Sequence, residues 1–294
     1  MARARGPQRP APRPPARRPA SPPAVRPLEP APALAIAAPP GRGTTTVVVA
    51  DLHLGLGASP KLPLGPPTAS APELAEQLVR LCRRAGARRL VVAGDVKHPI
   101  VGAPPWLRPV LFDVFATVLA EGVVPHVVLG NHDVGLARYL PREVVVRPAS
   151  GIVVHGVGIF HGHRWPSRAV LAAPTLVAGH LHPGYRFAPT ADAPDGKQKV
   201  WLRADLRERD GVRDRDGRRV PARELVVLPA FHPLAGTEAL NRARPERGRT
   251  FLYGRLLAHG AVRAYLLDGT DLGALAMPLR PAARAAPRPA PPAP

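Results

Sequence analysis

The stretch Val47-Val48-Val49-Ala50-Asp51-Leu52-His53 decides how the chain is read. Four apolar residues, three of them β-branched, form a strand that is apolar on both faces and therefore buried. The strand then runs directly into an aspartate and a histidine. The same event recurs four times. Leu90-Val91-Val92-Ala93 runs into Gly94-Asp95, and Val127-Val128-Leu129 into Gly130-Asn131-His132-Asp133. Ile159-Phe160 runs into His161-Gly162-His163, and Leu176-Val177-Ala178 into Gly179-His180-Leu181-His182. Five strands ending this way place their polar side chains on one rim of a sheet, and the rim at the strand carboxyl ends is where α/β sheets bind ligands. Asp51 and His53 are two residues apart, as are His180 and His182, so in an extended segment each pair points one way. The glycines before Asp95, Asn131 and His180 allow a sharp strand-to-loop turn and leave room for an ion.

The set is rich in oxygen and imidazole and contains no sulfur, a chemistry that suits Mn²⁺, Fe, Zn²⁺ or Ni²⁺. Two carboxylates, one amide and four imidazoles are too many for one ion with open positions and about right for two. A pair of ions clamps the attacking and leaving oxygens of an in-line phosphoryl displacement, with a carboxylate and an activated water between them.

The rest of the chain frames this core. It has 294 residues and a net charge of +20, with 37 Arg against four Lys. Hydrophobic residues make up 45%, enough for a sizeable core. The lone Cys82 excludes an internal disulfide framework and a Cys-rich zinc site. It falls at helical spacing with Leu74, Leu78 and Leu81, in a helix that starts at Ser70 and ends at Gly86, and reads as core filling. A second helical face, Val110 to Leu119, follows Pro109 and closes at Gly122. Further strands are expected at Lys199–Leu202, Glu224–Leu228, Thr250–Leu257 and Ala261–Leu267. Apolar runs such as Leu34–Ala38 are far short of the roughly 18–20 residues of a membrane span, so a soluble, cytoplasmic protein is expected.

Composition sets the expected boundaries. Residues 1–42 hold 13 Pro and eight Arg and read as a disordered basic arm; residues 280–294 read as a similar tail. The domain between them, 43–279, carries a charged excursion at 203–219 that reads as an exposed loop or hairpin. Clustered Arg makes contact with nucleic acid physically easy, while Arg-, Ala- and Pro-rich composition is also what a GC-rich genome writes.

Taken in order, Asp51-x-His53, Gly94-Asp95, Gly130-Asn131-His132-Asp133, His161 and Gly179-His180-x-His182 resemble the five motifs of the calcineurin-like metallophosphoesterases. The resemblance covers residues 45–275. A narrower likeness, carried by Gly94-Asp95-Val96-Lys97-His98, by Leu228–Leu234 and by Leu266–Gly273, is to archaeal-type phosphoesterases related to the DNA-ligase-associated phosphoesterases found beside repair genes. The resemblance implies an α/β fold of four layers, two packed mixed sheets flanked by helices. It implies two divalent ions, Mn²⁺ first among the candidates and Mg²⁺ among the others. Asp51, His53 and His182 would hold one ion, Asn131, His161 and His180 the other, and Asp95 would bridge. A metal-bridging hydroxide would attack phosphorus, with His132 as electrophile and general acid and Asp133 orienting it. The superfamily pattern favours His161 over His163 as ligand, leaving His163 as a neighbour that supports the ligands or meets the substrate. Lys97 and His98 could reach a substrate phosphate, or Lys97 could pair with a carboxylate. His232 could approach from a late loop, while His126 and His155 read as structural. Val96-Lys97-His98 and Asp133 stand where protein phosphatases of the superfamily carry an acidic-Arg pair and a Glu, which argues against that activity. The expected substrate is a phosphate ester, with nucleic acid among the candidates. The competing readings are a catalytically silent metal-binding scaffold and a nucleic-acid-binding protein.

Overall fold

Three parallel strands followed by polar loops form the heart of the first of two sheets. The computed structural model describes residues 25–41, 43–57, 70–188, 196–207, 212–242, 252–257 and 261–275. In the first sheet β1 (Val25–Pro27), β2 (Leu34–Ile36), β3 (Thr45–Val49), β4 (Ala87–Ala93), β5 (Val124–Val128) and β6 (Val145–Arg147) lie side by side in that order. The pairings β1/β2 and β2/β3 are antiparallel, and those from β3 to β6 are parallel. Parallel neighbours need crossovers, and helices α1 (Ser70–Arg84) and α2 (Leu107–Ala120) supply two of them. Leu74, Leu78, Leu81 and Cys82 of α1 and Leu111, Val114, Phe115 and Val118 of α2 pack on one face of the sheet with Val47, Leu90, Val92 and Val127. Burial pushes the Cys82 thiol up to about 12, consistent with core filling.

The second sheet runs β13-β10-β11-β12-β9-β8-β7, with β14 alongside β11 and β15 beyond it. Its strands are β7 (Ile152–Val154), β8 (Val157–Phe160), β9 (Thr175–Ala178), β10 (Pro183–Arg186), β11 (Lys197–Asp205), β12 (Glu224–Val227), β13 (Glu238–Ala239), β14 (Ala261–Leu266) and β15 (Asp271–Leu275). Both sheets are mixed. They pack face to face through Ile36, Val48, Val91 and Val128 from the first and Ile159, Val177, Trp201 and Val226 from the second. This is the four-layer α/β architecture that the resemblance implied.

Three expectations are corrected. The fold begins within the expected arm, because Val25–Pro27 and Leu34–Ile36 are strands and Leu34 and Ile36 are buried between the sheets. A three-residue apolar run suffices once β3 offers an edge, and Pro27 is tolerated because β1 is itself the edge strand. Residues 1–24 and 42 of the expected arm, the expected tail 280–294 and residues 276–279 before it lie outside the described residues.

In place of the strand at Thr250–Leu257, Leu252–Leu256 forms a π-helical turn; Thr250 and Phe251 lie outside the described residues. Its Leu252 and Leu256, four apart, both face the outer core of the second sheet, as helical spacing requires.

The excursion at 203–219 is only partly exposed. Arg203–Asp205 continue β11 and pair with β12 and β14, and Val212 and Val220 are buried on the sheet. These apolar ends, the π-helical turn and the four-residue helix α3 (Arg168–Leu171) make up the outermost layer, where two long helices cover the first sheet. Among the described residues no helix is long and apolar enough to cross a membrane.

Candidate metal centre

The loops after β3, β4 and β5 meet the loops after β8 and β9 where the two sheets face each other. Backbone hydrogen bonding continues past the strand ends: Asp51 N–H donates to the Gly94 carbonyl, His53 N–H to Asp95, and Gly179 N–H to His161. The loops are thus held as firmly as strands. Among the described residues six non-glycine residues adopt positive φ, and five of them are Asp51, His53, Asp95, His180 and His182. Such backbone is costly and clusters at functional sites. It also breaks the alternation of an extended strand, so His180 and His182 do not point the same way. His180 joins Asp95 and His161, while His182 joins Asp51 and His53.

The glycines are required by close approach. A Cβ on Gly94 would fall 2.3 Å from His161 Nδ1, and one on Gly130 would fall 2.2 Å from Asp95 Oδ1. The space they leave is filled by ligand-competent side chains.

Two groups of donor atoms that include a carboxylate result, beside a third formed by His53, His98 and His132. In the first, His182 Nε2 lies 3.1 Å from His53 Nε2 and 3.4 Å from Asp51 Oδ1. Its Nδ1 is 3.1 Å from the Gly236 carbonyl and donates to it, which leaves a lone pair on Nε2 of the neutral ring. In the second, His161 Nδ1 donates to the Ala93 carbonyl at 2.8 Å. Its Nε2 then faces Asp95 Oδ2 at 3.3 Å and Asn131 Oδ1 at 3.1 Å. Lone pairs converge in both groups, and a shared cation relieves that repulsion. Asp95 lies between the groups: its Oδ2 is 3.3 Å from His161 Nε2 and 3.8 Å from His53 Nε2.

Burial and neighbouring charge shift the ionisation of these groups in opposite directions. Burial opposes charging His161, yet the hydrogen bond to Asp95 and the charges of Asp51 and Asp95 raise it to about 9. His182 is raised as well, with burial again outweighed by Asp51. His53 and His180 are lowered to about 4, burial being the main cause. Burial would raise Asp95, but His161 and the His132 N–H hold it below the usual carboxylate range. The donor set fits divalent ions that accept nitrogen and oxygen.

His132 flanks these groups. Its N–H donates to Asp95 Oδ1 at 3.0 Å, its Nε2 is 3.8 Å from Asp95 Oδ2, and its Nδ1 is held by the His98 carbonyl. Asp133, expected to orient it, does something else. Its carboxylate accepts from the backbone N–H groups of Val96 (2.9 Å), Lys97 (3.4 Å) and Gly130 (2.9 Å) and is fully buried. It buckles the loops that carry Asp95 and Asn131 together.

Lys97 is also redirected. Its ammonium is buried and donates to the carbonyls of Pro99, Ile100 and His132 rather than facing a substrate. His98 stays at the rim, its ring stacked 5.8 Å from that of His132 and its Nδ1 3.5 Å from His53 Nδ1. His163 lies against His161 and His180, with ring centroids 5.3 and 6.2 Å away, and its buried Nδ1 has no partner among the described residues.

The late segment does reach the centre. Phe231 N–H donates to Ala50 and His232 N–H to Asp51, so Leu228–Leu234 is stitched beneath the first motif. His232 is buried and its Nδ1 accepts from Leu234 N–H. Lys199, which the sequence reading missed, holds this segment by donating to the carbonyls of Ala230 (2.7 Å) and His232 (2.5 Å). Burial lowers it to about 8 against the opposing pull of Asp51. Its signal is a lysine abutting the apolar run Val200-Trp201-Leu202 of β11. His155 proves structural, its Nε2 3.2 Å from the Thr44 carbonyl.

No family model and no curated protein matches the chain. Among solved structures, the fold is similar to that of the Pseudomonas putida nuclease MPE, with a TM-score of 0.50 and 19% identity over 80% of this chain and 88% of that one. Yfce, a phosphoesterase from E. coli, aligns with a TM-score of 0.35 and 15% identity over 79% of this chain and 99% of that one. At such identities the likeness to the nuclease is one of fold, the α/β architecture of two mixed sheets described above.

Proposed function

We propose that the protein is a metal-dependent phosphoesterase that holds two divalent ions and acts on phosphodiesters. The observation that carries this reading is the Asp95 carboxylate, set between two groups of convergent lone-pair donors. Asp51, His53 and His182 would hold one ion, Asn131, His161 and His180 the other, and Asp95 both; Mn²⁺ is the ion we favour. Bound there, the ions supply an acidified water and offset charge on the phosphoryl oxygens.

The chain's own residues supply the rest. The His98 carbonyl holds the His132 ring and the Asp95 carboxylate its backbone N–H, with Nε2 toward the cluster, where in its protonated form it gives a proton to the departing oxygen. Asp133 and Lys97 hold the loop geometry on which that aim depends. A phosphodiester is favoured by the net charge of +20 and by the narrower likeness to ligase-associated phosphoesterases, and the first makes nucleic acid the leading substrate class.

The test is hydrolysis of bis-p-nitrophenyl phosphate beside p-nitrophenyl phosphate with Mn²⁺, for the wild type and Asp95→Asn. Diester turnover that vanishes in the variant is expected. Two bound ions with no turnover of either ester would instead support a silent scaffold.

A further inference from the structure

A second cluster of basic side chains lies away from the metal centre, where the seam between the sheets opens at one edge. Arg89 of β4, His126 of β5 and Arg147 of β6 line a cleft of about 490 Å³, together with the Gly151–Val154 stretch and Ser167. The strands are adjacent and parallel, with His126 beside Val91 and Val145, and Arg147 beside Val128. Three neighbouring strands thus deliver one cationic or proton-donating group each to the same space.

No carboxylate lines the cleft, and neither guanidinium makes an ion pair among the described residues. His126 confirms the sign of the local field. It is lowered to about 4 by burial first and then by Arg89 and Arg147, with no opposing charge. Some arginines elsewhere find acids, as Arg83 does with Glu121, Arg203 with Glu224 and Arg263 with Asp271, while others such as Arg108 and Arg138 bond to backbone carbonyls. Two guanidiniums and an imidazole lining one cleft with no carboxylate leave it positive, and an oxyanion would complement that charge. Guanidinium forks match the geometry of a phosphate, and a neutral imidazole adds one N–H donor.

We propose that Arg89, His126 and Arg147 form a phosphate-binding site, distinct from the metal centre, that takes a backbone phosphate of a nucleic acid strand. Arg89 precedes Asp95 by six residues, roughly 20 Å along β4, a distance that about six nucleotides of a B-form strand span. The inference does not depend on the phosphoesterase reading, because binding is measured without metal.

The experiment compares the wild-type full chain with Arg89→Gln/Arg147→Gln in EDTA, using two probes. Inorganic phosphate is titrated at constant ionic strength while the thermal midpoint is followed. A labelled 20-nucleotide single-stranded DNA is titrated at several salt concentrations. The variant is expected to lose the stabilisation by phosphate, to bind DNA at least fivefold more weakly, and to show a salt slope smaller by roughly 1.4. Loss of the phosphate effect with unchanged DNA binding would support the same site with free phosphate as its ligand. A DNA effect alone would reduce the cluster to diffuse charge and overturn the proposal, as would no change with either probe. Arg89→Lys/Arg147→Lys separates the two kinds of attraction: it keeps the charge but loses the forks, so the phosphate stabilisation is expected to fall while DNA affinity largely persists.

Discussion

The two halves of the molecule contribute unlike chemistry to one centre. Residues up to Arg147 form the first sheet and bring the oxygen donors Asp51, Asp95 and Asn131, with His53 as their only imidazole in the two principal donor groups. Residues from Ile152 onward form the second sheet and bring His161, His180 and His182. They also differ in how they are covered. Two full helices close the outer face of the first sheet, but a four-residue helix, a π-helical turn and loop ends close that of the second. Both anionic donors thus sit on the better-supported half, beside one amide and one imidazole, and the less supported half brings imidazoles alone. A cation held between them would neutralise the first and fasten the second.

The largest effect should distinguish the two buried aspartates of the first half. Asp95→Asn should lower diester turnover by at least 10²–10³-fold while moving the urea midpoint little. Asp133→Ala should instead cost stability, since it strands three backbone N–H donors. Turnover assays beside urea unfolding check this, and equal behaviour of the two variants would erase the division into an ion-facing and a loop-buckling carboxylate.

Chelation is the next lever. Saturating ions at about 100 times their dissociation constant would each contribute about 2.7 kcal/mol, which EDTA removes. Hydrogen exchange should then rise first in β8, β9 and β12 of the second sheet, with β3 and β4 following. Uniform loosening would mean that the metal does not act as a fastening between unequal halves.

Lys97→Met should cost about 2–3 kcal/mol, because three carbonyls lose their donor in a buried place. KM for the diester in the folded fraction should stay unchanged. A raised KM with normal stability would return Lys97 to the substrate.

The effect of pH on the metal-free protein is spread over many groups. His53, His126, His163, His180 and His232 are all lowered to about 4, mainly by burial. Between the ordinary value near 6.5 and about 4 the unfolded chain binds more protons, so stability should fall as pH drops through that window. His161, raised to about 9, acts oppositely: its contribution is full below about 6.5 and is lost as pH rises toward 9. Urea midpoints of chelated protein at pH 5, 6.5 and 9 should therefore peak near 6.5. A midpoint that climbs steadily to pH 9 would contradict the placement of His161 between two carboxylates.

Much of this centre was legible in the sequence because strand, glycine and polar ending recur together, and the strand end is a position that burial and turn chemistry mark strongly. Asp51, His53, Asp95, Asn131, His161, His180 and His182 could be picked out that way, and the structure gathers all seven. Less legible were short elements whose partners are remote. Leu34–Ile36 was hidden in proline-rich surroundings, and it is a strand because β3 lies beside it. Lys199 carries no motif, and its role depends on two carbonyls about thirty residues away.

The amino-acid order alone determined the alternation of apolar strands with helices, the polar endings and the donor chemistry, since these follow from local pattern and residue type. Only the tertiary structure decided which donors meet. Positive φ at Asp51, His53, Asp95, His180 and His182 departs from extended backbone, and His180 and His182 part to different donor groups while Asp51 and His53 stay together. The backbone donors and acceptors of neighbouring loops then decided where Asp133 and Lys97 were spent. A buried charge goes to the groups that can satisfy it, and those come from segments far apart in the chain.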